Sequence, residues 1–350
     1  MNSAPSPLLW VDLPTGPAVR LLDQTRLPGE EVTVTCHSVD VLVDAIRRLA
    51  VRGAPMLGIA GAYGVALAAA RRDRGSEHVA RAAGALATVR PTAVNLARAV
   101  RRTAAAYDEA GGGEPGAKAA LDVAQAIEAE DAASCARIAE HGLPFVPEGA
   151  RILTHCNTGQ LVSGGEGTAY AIIAAAHRAG RLAKLWIGET RPLLQGARLT
   201  AYEAVRDGLP HAVLPDAAAG VLFARREVDL VAVGADRITA DGSVANKVGT
   251  YSLAVLARHH GVPFVVAAPT STIDLDIPNG AGVDVEQRAS TEVTAFGGIP
   301  TAPAGSPAYN PAFDITPPDL VTAVVTERGV VRSVDEPGLR RVCRFMEPDV

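Results

Sequence analysis

Aromatic side chains are scarce. Phe, Trp and Tyr make up 4% of the 350 residues, which leaves few stacking platforms for single strands or sugar rings. An excess of positive charge is also missing. The chain has 33 Lys and Arg against 38 Asp and Glu, a net charge of −5, so there is no basic footprint for nucleic acid. A local anion pocket still fits inside such a total. Cysteine is confined to Cys36, Cys135, Cys156 and Cys343, with no CxxC pair and no Cys/His cluster at zinc spacing. That argues against a disulfide scaffold and a structural metal. No Rossmann dinucleotide fingerprint and no HExxH motif are found, which argues against nicotinamide redox and zincin chemistry. Residues 1–19 hold no Lys or Arg and so lack the basic start of a signal peptide. The uncharged stretch from Gly53 to Ala70 approaches the length of a membrane span. It is built from Gly and Ala with Pro55 near its start, and a buried, closely packed helix suits it better. The expectation is a cytoplasmic protein with reduced thiols and no membrane partner.

What is present is a core. Apolar residues reach 48% and charged residues 20%, enough for about two globular domains at this length. The fold class expected is α/β, with a mostly helical N-terminal domain over 1–120 that carries a few short strands. A connecting helix over 121–142 and a parallel-sheet catalytic domain over 143–350 complete it. Within the first domain, residues 19–35 read as a hairpin or meander around Leu27-Pro28-Gly29, followed by helices near 38–50, 56–72 and 92–108. Gly111-Gly112-Gly113-Glu114-Pro115-Gly116 reads as a flexible loop. Pro144 and Pro147 stop the connecting helix. Short apolar runs at 151–155, 185–187, 212–214, 230–233 and 264–267 alternate with helical stretches. That alternation predicts right-handed crossovers and a parallel sheet covered on both faces. Ligands of such sheets sit beyond the carboxyl ends of the strands.

Four groups of residues at element ends are suited to chemistry. Thr154-His155-Cys156-Asn157 leaves one strand, and a thiol there faces ligand with helix N-termini nearby to favour the thiolate. A buried small thiol is the plainer reading of position alone. The following Ser163-Gly164-Gly165-Glu166-Gly167 resembles a phosphate-cradling turn without the Walker lysine. Asp236, in Gly234-Ala235-Asp236-Arg237, closes another strand as a general acid or base, or else serves as a helix cap or a partner of Arg237. Asn246-Lys247 is read as the start of a helix, where a lysine and backbone amides suit a phosphate. Arg52-Gly53-Ala54-Pro55 and Arg90-Pro91-Thr92 open helices in the first domain and can present guanidinium and N–H groups together. Solvated surface side chains remain the alternative for these, and Gln195 is equally open.

Together these segments resemble the methylthioribose-1-phosphate isomerase family. The resemblance rests on Val51-Arg52-Gly53-Ala54-Pro55, Arg90 to Leu96, Thr154-His155-Cys156-Asn157, Glu189-Thr190-Arg191-Pro192, Gln195 to Thr200, Gly234 to Ile238 and Ala245 to Tyr251. It runs in order from about residue 17 to 330. The family is related to regulatory subunits of a translation-initiation exchange factor and to ribose-1,5-bisphosphate isomerases. The resemblance implies a helical N-terminal domain, a Rossmann-like C-terminal domain and a homodimer. It implies that Cys156 and Asp236 are the catalytic pair and that Arg52, Gly53, Ala54, Arg90, Gln195, Asn246 and Lys247 bind substrate. It further implies an aldose–ketose isomerisation of a small phosphorylated sugar in methionine salvage, with no metal and no cofactor.

The sequence departs from the family blocks at Thr158-Gly159-Gln160-Leu161-Val162-Ser163, at Gly188, at Pro215-Asp216-Ala217-Ala218, and at Ala97-Arg98. The phosphate and catalytic blocks are intact. The altered positions leave open a paralogue acting on another 5-deoxy-5-substituted ribose 1-phosphate. A non-catalytic regulatory subunit fits less well, because Cys156 and Asp236 both stand in full motifs.

Overall fold

The computed structural model describes residues 6–71, 75–90 and 94–344. The chain forms two compact units. One is Met1–Cys135 with Gly159–Gly167, and the other is Ala136–Thr158 with Thr168–Val350.

The first unit opens with an antiparallel meander of β1 (Leu8–Leu13), β2 (Gly16–Leu22) and β3 (Thr33–Cys36). The β2–β3 connection contains the expected Leu27-Pro28-Gly29 turn, whereas β1 lies upstream of the stretch read as strand. Five helices follow: α1 (Val39–Arg47), α2 (Ala54–Ala69), α3 (Gly75–Thr88), α4 (Val94–Glu109) and α5 (Gly113–Gly142). The expected helices at 38–50, 56–72 and 92–108 correspond to α1, α2 and α4, with residues 72, 92 and 93 outside the described residues. Helix α3 was not expected, since its buried stripe is only Val79, Ala82 and Leu86.

Two readings need correction or completion here. The loop expected at 111–116 is shorter, because α5 already begins at Gly113 and its first turn includes Pro115, which needs no N–H partner there. Every residue of α2 from Met56 to Ala69 is buried, so the uncharged stretch is a core helix. Its glycines admit α4: a Cβ on Gly61 would stand 2.5 Å from Leu96 Cδ1. No helix among the described residues is long and apolar enough to cross a membrane.

In the second unit the elements run β4 (Ala150–Thr154), α6 (Ala169–Arg178), β5 (Leu182–Gly188), α7 (Ala201–Arg206), β6 (His211–Leu214), α8 (Ala219–Ala224) and β7 (Leu230–Val233). Next come β8 (Arg237–Thr239), β9 (Val244–Lys247), α9 (Thr250–His260), β10 (Phe264–Ala267), β11 (Ile273–Asp274), α10 (Thr291–Thr294), β12 (Ala295–Phe296) and β13 (Ile299–Pro300). The unit ends with β14 (Phe313–Thr316), β15 (Ala323–Thr326), β16 (Gly329–Val331) and α11 (Glu336–Cys343). The five strands expected from apolar runs are β4, β5, β6, β7 and β10.

The main sheet has the order β16-β15-β10-β7-β4-β5-β6 and is parallel except for the β15–β16 pair. Alternate residues cover its two faces. Leu230 and Ala232 pack in a cluster with Ile172 and Ala204, while Val231 and Val233 pack in another with Phe223 and Leu253. A second sheet, β11-β8-β9-β14, lies beyond the ends of β7 and β10 in sequence. It overturns one expectation. Asn246 and Lys247 do not begin a helix but close strand β9, and α9 starts at Thr250. From β4 the chain builds outward through β5 and β6, then returns to lay β7 on the other side of β4. The sheet therefore reverses direction between β4 and β7, where open α/β sheets form their ligand crevice.

Candidate active site

Cys156 and Asp236 leave the two strands that flank this reversal. Strands β4 and β7 pair directly, Leu153 beside Val231, and the segments beyond them stay close. A Cβ on Gly234 would stand 2.8 Å from Thr158 Cγ2. Asp236 is followed by strand β8, so it does not cap a helix, and its N–H donates to Ala245 O at 2.9 Å. Arg237 forms an ion pair with Asp274 at 3.6 Å.

Cys156 is partly buried and adopts a left-handed backbone, φ +63°, a region that non-glycine residues seldom occupy and that clusters at functional sites. Its N–H donates to Thr190 Oγ1 at 2.9 Å, and its carbonyl accepts from Thr200 Oγ1 at 2.7 Å. Thr190, itself at φ +67°, donates its hydroxyl to Gly188 O at 2.9 Å, and its N–H donates to the Asp216 carboxylate at 2.8 Å. Thr200 ends a π-turn over Gly196–Thr200, a widened helical turn common at functional sites. That turn presses on β5 so closely that a Cβ on Gly196 would lie 1.8 Å from Gly188 O. Behind it, Asn157 Nδ2 donates to Thr200 Oγ1 and to Glu203, a fully buried carboxylate. Gln195 stands at the head of the turn. It is 5% exposed, and its carboxamide oxygen is buried with no hydrogen-bond donor among the described residues.

His155 ties this region to the start of α9. Its Nε2–H donates to Val248 O at 2.8 Å, and Gly249, at φ +106°, makes room for the ring. Burial holds His155 below the usual histidine pKa, with Asp216 opposing that shift. Lys247 Nζ donates to Ala312 O at 2.8 Å and lies over the Phe313 ring, while Asn246 Nδ2 donates to Thr250 Oγ1. The first amides of α9 are engaged within the unit: the N–H groups of Gly249 and Tyr251 donate to the Asp314 carboxylate at 2.7 and 3.1 Å. Burial pushes Asp314 up to about 6, against the lowering effect of those N–H groups and of Lys247. The anion expected at this helix start is thus in part the protein's own carboxylate.

The first unit carries Arg52, Gly53, Ala54 and Arg90. Gly53 is the N-cap of α2 at φ +89°, with Pro55 in the first turn and no acidic side chain there. Val162 packs on it, so that a Cβ on Gly53 would stand 2.4 Å from Val162 Cβ. Arg90 follows α3, and its neighbours Pro91, Thr92 and Ala93 lie outside the described residues. The glycine-rich segment 163–167 is packed rather than cradling. Gly164 N–H donates to Asp131 at 2.7 Å, and Gly165 lies so near α5 that a Cβ would stand 2.9 Å from Cys135 Cβ. Among the described residues no cluster of three His, Cys, Asp or Glu side chains is placed to hold a metal ion. Thr190 and Thr200 lie inside family-like blocks, but no local pattern in the sequence marks a role for them. None marks Glu203 or Asp314, whose partners are distant in the chain.

Residues 50–333 match the Initiation factor 2 subunit family. In sequence the chain is 54% identical over 321 residues to the methylthioribose-1-phosphate isomerase of Anaeromyxobacter dehalogenans, covering 92% of this chain and 93% of that one. In structure it resembles the 5-methylthioribose 1-phosphate isomerase of Pyrococcus horikoshii, with TM-score 0.90, 37% identity and coverage of 98% and 97%. It also resembles the eIF-2B delta subunit of A. fulgidus, with TM-score 0.85, 39% identity and coverage of 96% and 99%. By the match over residues 50–333 the chain belongs to the Initiation factor 2 subunit family, and its fold is shared with solved structures of both kinds of protein. Within that family the chain belongs to the methylthioribose-1-phosphate isomerase family, and it is an enzyme, an isomerase.

Proposed function

We propose that the protein converts 5-methylthioribose 1-phosphate to 5-methylthioribulose 1-phosphate, with Cys156 and Asp236 at the reacting carbons. The observation that carries this reading is the departure of both residues from β4 and β7, the paired strands at the sheet's reversal. The substrate phosphate, on the anomeric oxygen, blocks simple ring opening. Asp236 protonates the ring oxygen as its bond to C1 breaks. A hydrogen moves from C2 to C1, the C2 hydroxyl loses its proton, and the ketone forms. The proton gained by the ring oxygen balances the one lost at O2, so a single carboxyl group can serve both steps. Cys156 lies against C1 and C2.

Arg52, Arg90 and the amides at the start of α2 suit the phosphate, as does Lys247. Asn246 and the buried carboxamide oxygen of Gln195 suit sugar hydroxyls. The family resemblance extends the proposal to a homodimer acting in methionine salvage in the cytoplasm.

Cys156→Ser and Asp236→Asn, assayed on the sugar phosphate, are each expected to lose at least about 100-fold in kcat. Near wild-type turnover in either would overturn the assignment. The altered residue Val162, packed on Gly53, favours a second reading in which the 5-substituent differs. A higher kcat/KM for 5-deoxyribose or unsubstituted ribose 1-phosphate than for the methylthio sugar would establish it.

A further inference from the structure

We propose that Thr190 and Thr200 are positioning residues that hold the Cys156 thiol in its reactive place, an inference that rests on the catalytic reading of Cys156. Between them they take both backbone polar groups of a residue in the left-handed region. Thr190 Oγ1 accepts from Cys156 N–H, and Thr200 Oγ1 donates to Cys156 O.

The direction of each bond is fixed by a further partner. Thr190 Oγ1 lies 2.9 Å from Gly188 O, an acceptor only, so its proton points there and its lone pair faces Cys156 N–H. Asn157 Nδ2 lies 3.1 Å from Thr200 Oγ1 and is a donor only, so the Thr200 proton is left for Cys156 O. The two hydroxyls come from different elements, the end of β5 and the end of the π-turn, and Gly196 locks these together by its contact with Gly188 O. Asp216 fixes Thr190 through its N–H, and Glu203 fixes Asn157. Removing one hydroxyl frees the 155–157 backbone to relax toward an ordinary conformation and turns the thiol away, while groups that bind the rest of the substrate stay in place.

The test uses Thr190→Val, Thr200→Val and the matching serine variants in the full-length protein, with folding checked by circular dichroism. Valine keeps the shape and loses the hydroxyl, whereas serine keeps the hydroxyl. Each valine variant is expected to lose about 100-fold in kcat, the scale of a misplaced reacting group, with KM within about threefold. Each serine variant is expected to stay within about threefold of wild type in both. The inference is overturned if the valine variants keep kcat, if KM rises as much as kcat falls, or if serine falls as far as valine. Should a valine variant fail to fold, alanine against serine at the same position makes the same comparison. Cys156→Ser, measured alongside, separates the two levels. Retained turnover there overturns the catalytic reading itself, while wild-type kcat in the valine variants beside an inactive Cys156→Ser overturns the clamp alone.

Discussion

Helices α2 and α9 begin in the same way and end up with opposite surroundings. Each follows a basic residue, Arg52 or Lys247, and each has a glycine N-cap at positive φ, Gly53 at +89° and Gly249 at +106°. By local sequence both are anion sites. At α9 the pairing of β14 with β9 sets Asp314 opposite Asn246, and its carboxylate takes the N–H groups of Gly249 and Tyr251. At α2, as at α9, the first turn holds no acidic residue of its own, and Val162 packs on the glycine. A helix start that the fold fills with a carboxylate, as at α9, has fewer amides left for a ligand anion.

The sharpest way to break this comparison is Gly53→Ala. Its methyl group meets both a positive φ and Val162, so about 3 kcal/mol of stability is expected to be lost in urea unfolding. With it, kcat/KM should fall at least about 100-fold. A variant with wild-type KM would remove α2 from the phosphate site. Gly249→Ala follows in size. Its Cβ would stand 2.9 Å from His155 Nε2, and about 2 kcal/mol should be lost as the His155–Val248 hydrogen bond is displaced. An unchanged melting temperature would show that the ring has room. Asp314→Ala, which strips the carboxylate from the start of α9, is expected to cost about 1 kcal/mol. A more stable variant would mean that burial of Asp314 outweighs the amides it satisfies.

The smallest effect is a pH slope. Burial pushes Asp314 up to about 6 in the folded protein, above the ordinary aspartate range, so the folded protein retains a proton that the unfolded chain releases. Its contribution to stability is full below about pH 4 and is lost as pH rises to about 6, by at most about 1.4 kcal/mol per pH unit. His155 acts in the opposite sense. Its folded pKa lies below 6.5, so acidification below about 6.5 favours the unfolded chain. Urea unfolding from pH 4.5 to 6.5 should show Asp314→Asn gaining on wild type as pH rises. A constant gap between the two would place Asp314 outside this account.

The parts of the fold that were legible are those with strong local signals. The five apolar runs became β4, β5, β6, β7 and β10; β7 and β10, buried at every position, are apolar throughout, while β4, β5 and the edge strand β6 keep an apolar stretch beside Arg151, Lys184 and His211. Helix α2 was recognisable as buried because its small, uncharged residues serve no other setting. Strands β8, β9 and β14 were not legible. They are three or four residues long and include Arg237, Asn246, Lys247 and Asp314, so the one or two apolar positions that alternate in β8 and β14 are too few to mark a strand, and β9 does not alternate. The glycine-rich segment at 163–167 misled for a related reason. Its glycines answer to the surface of α5, and nothing near them in the chain records that.

The sequence by itself determined the family and the alternation of strand and helix, since each is written in contiguous blocks of residues, and the resemblance carried by those blocks is what put Cys156 and Asp236 forward. Only the tertiary structure decided that β4 and β7 are neighbours, so that these two residues leave adjacent strands. It alone decided that two threonines hold the backbone of Cys156 and that Asp314 fills the start of α9. Those outcomes depend on groups dozens of residues apart, whose meeting is set by sheet order and register rather than by local propensity.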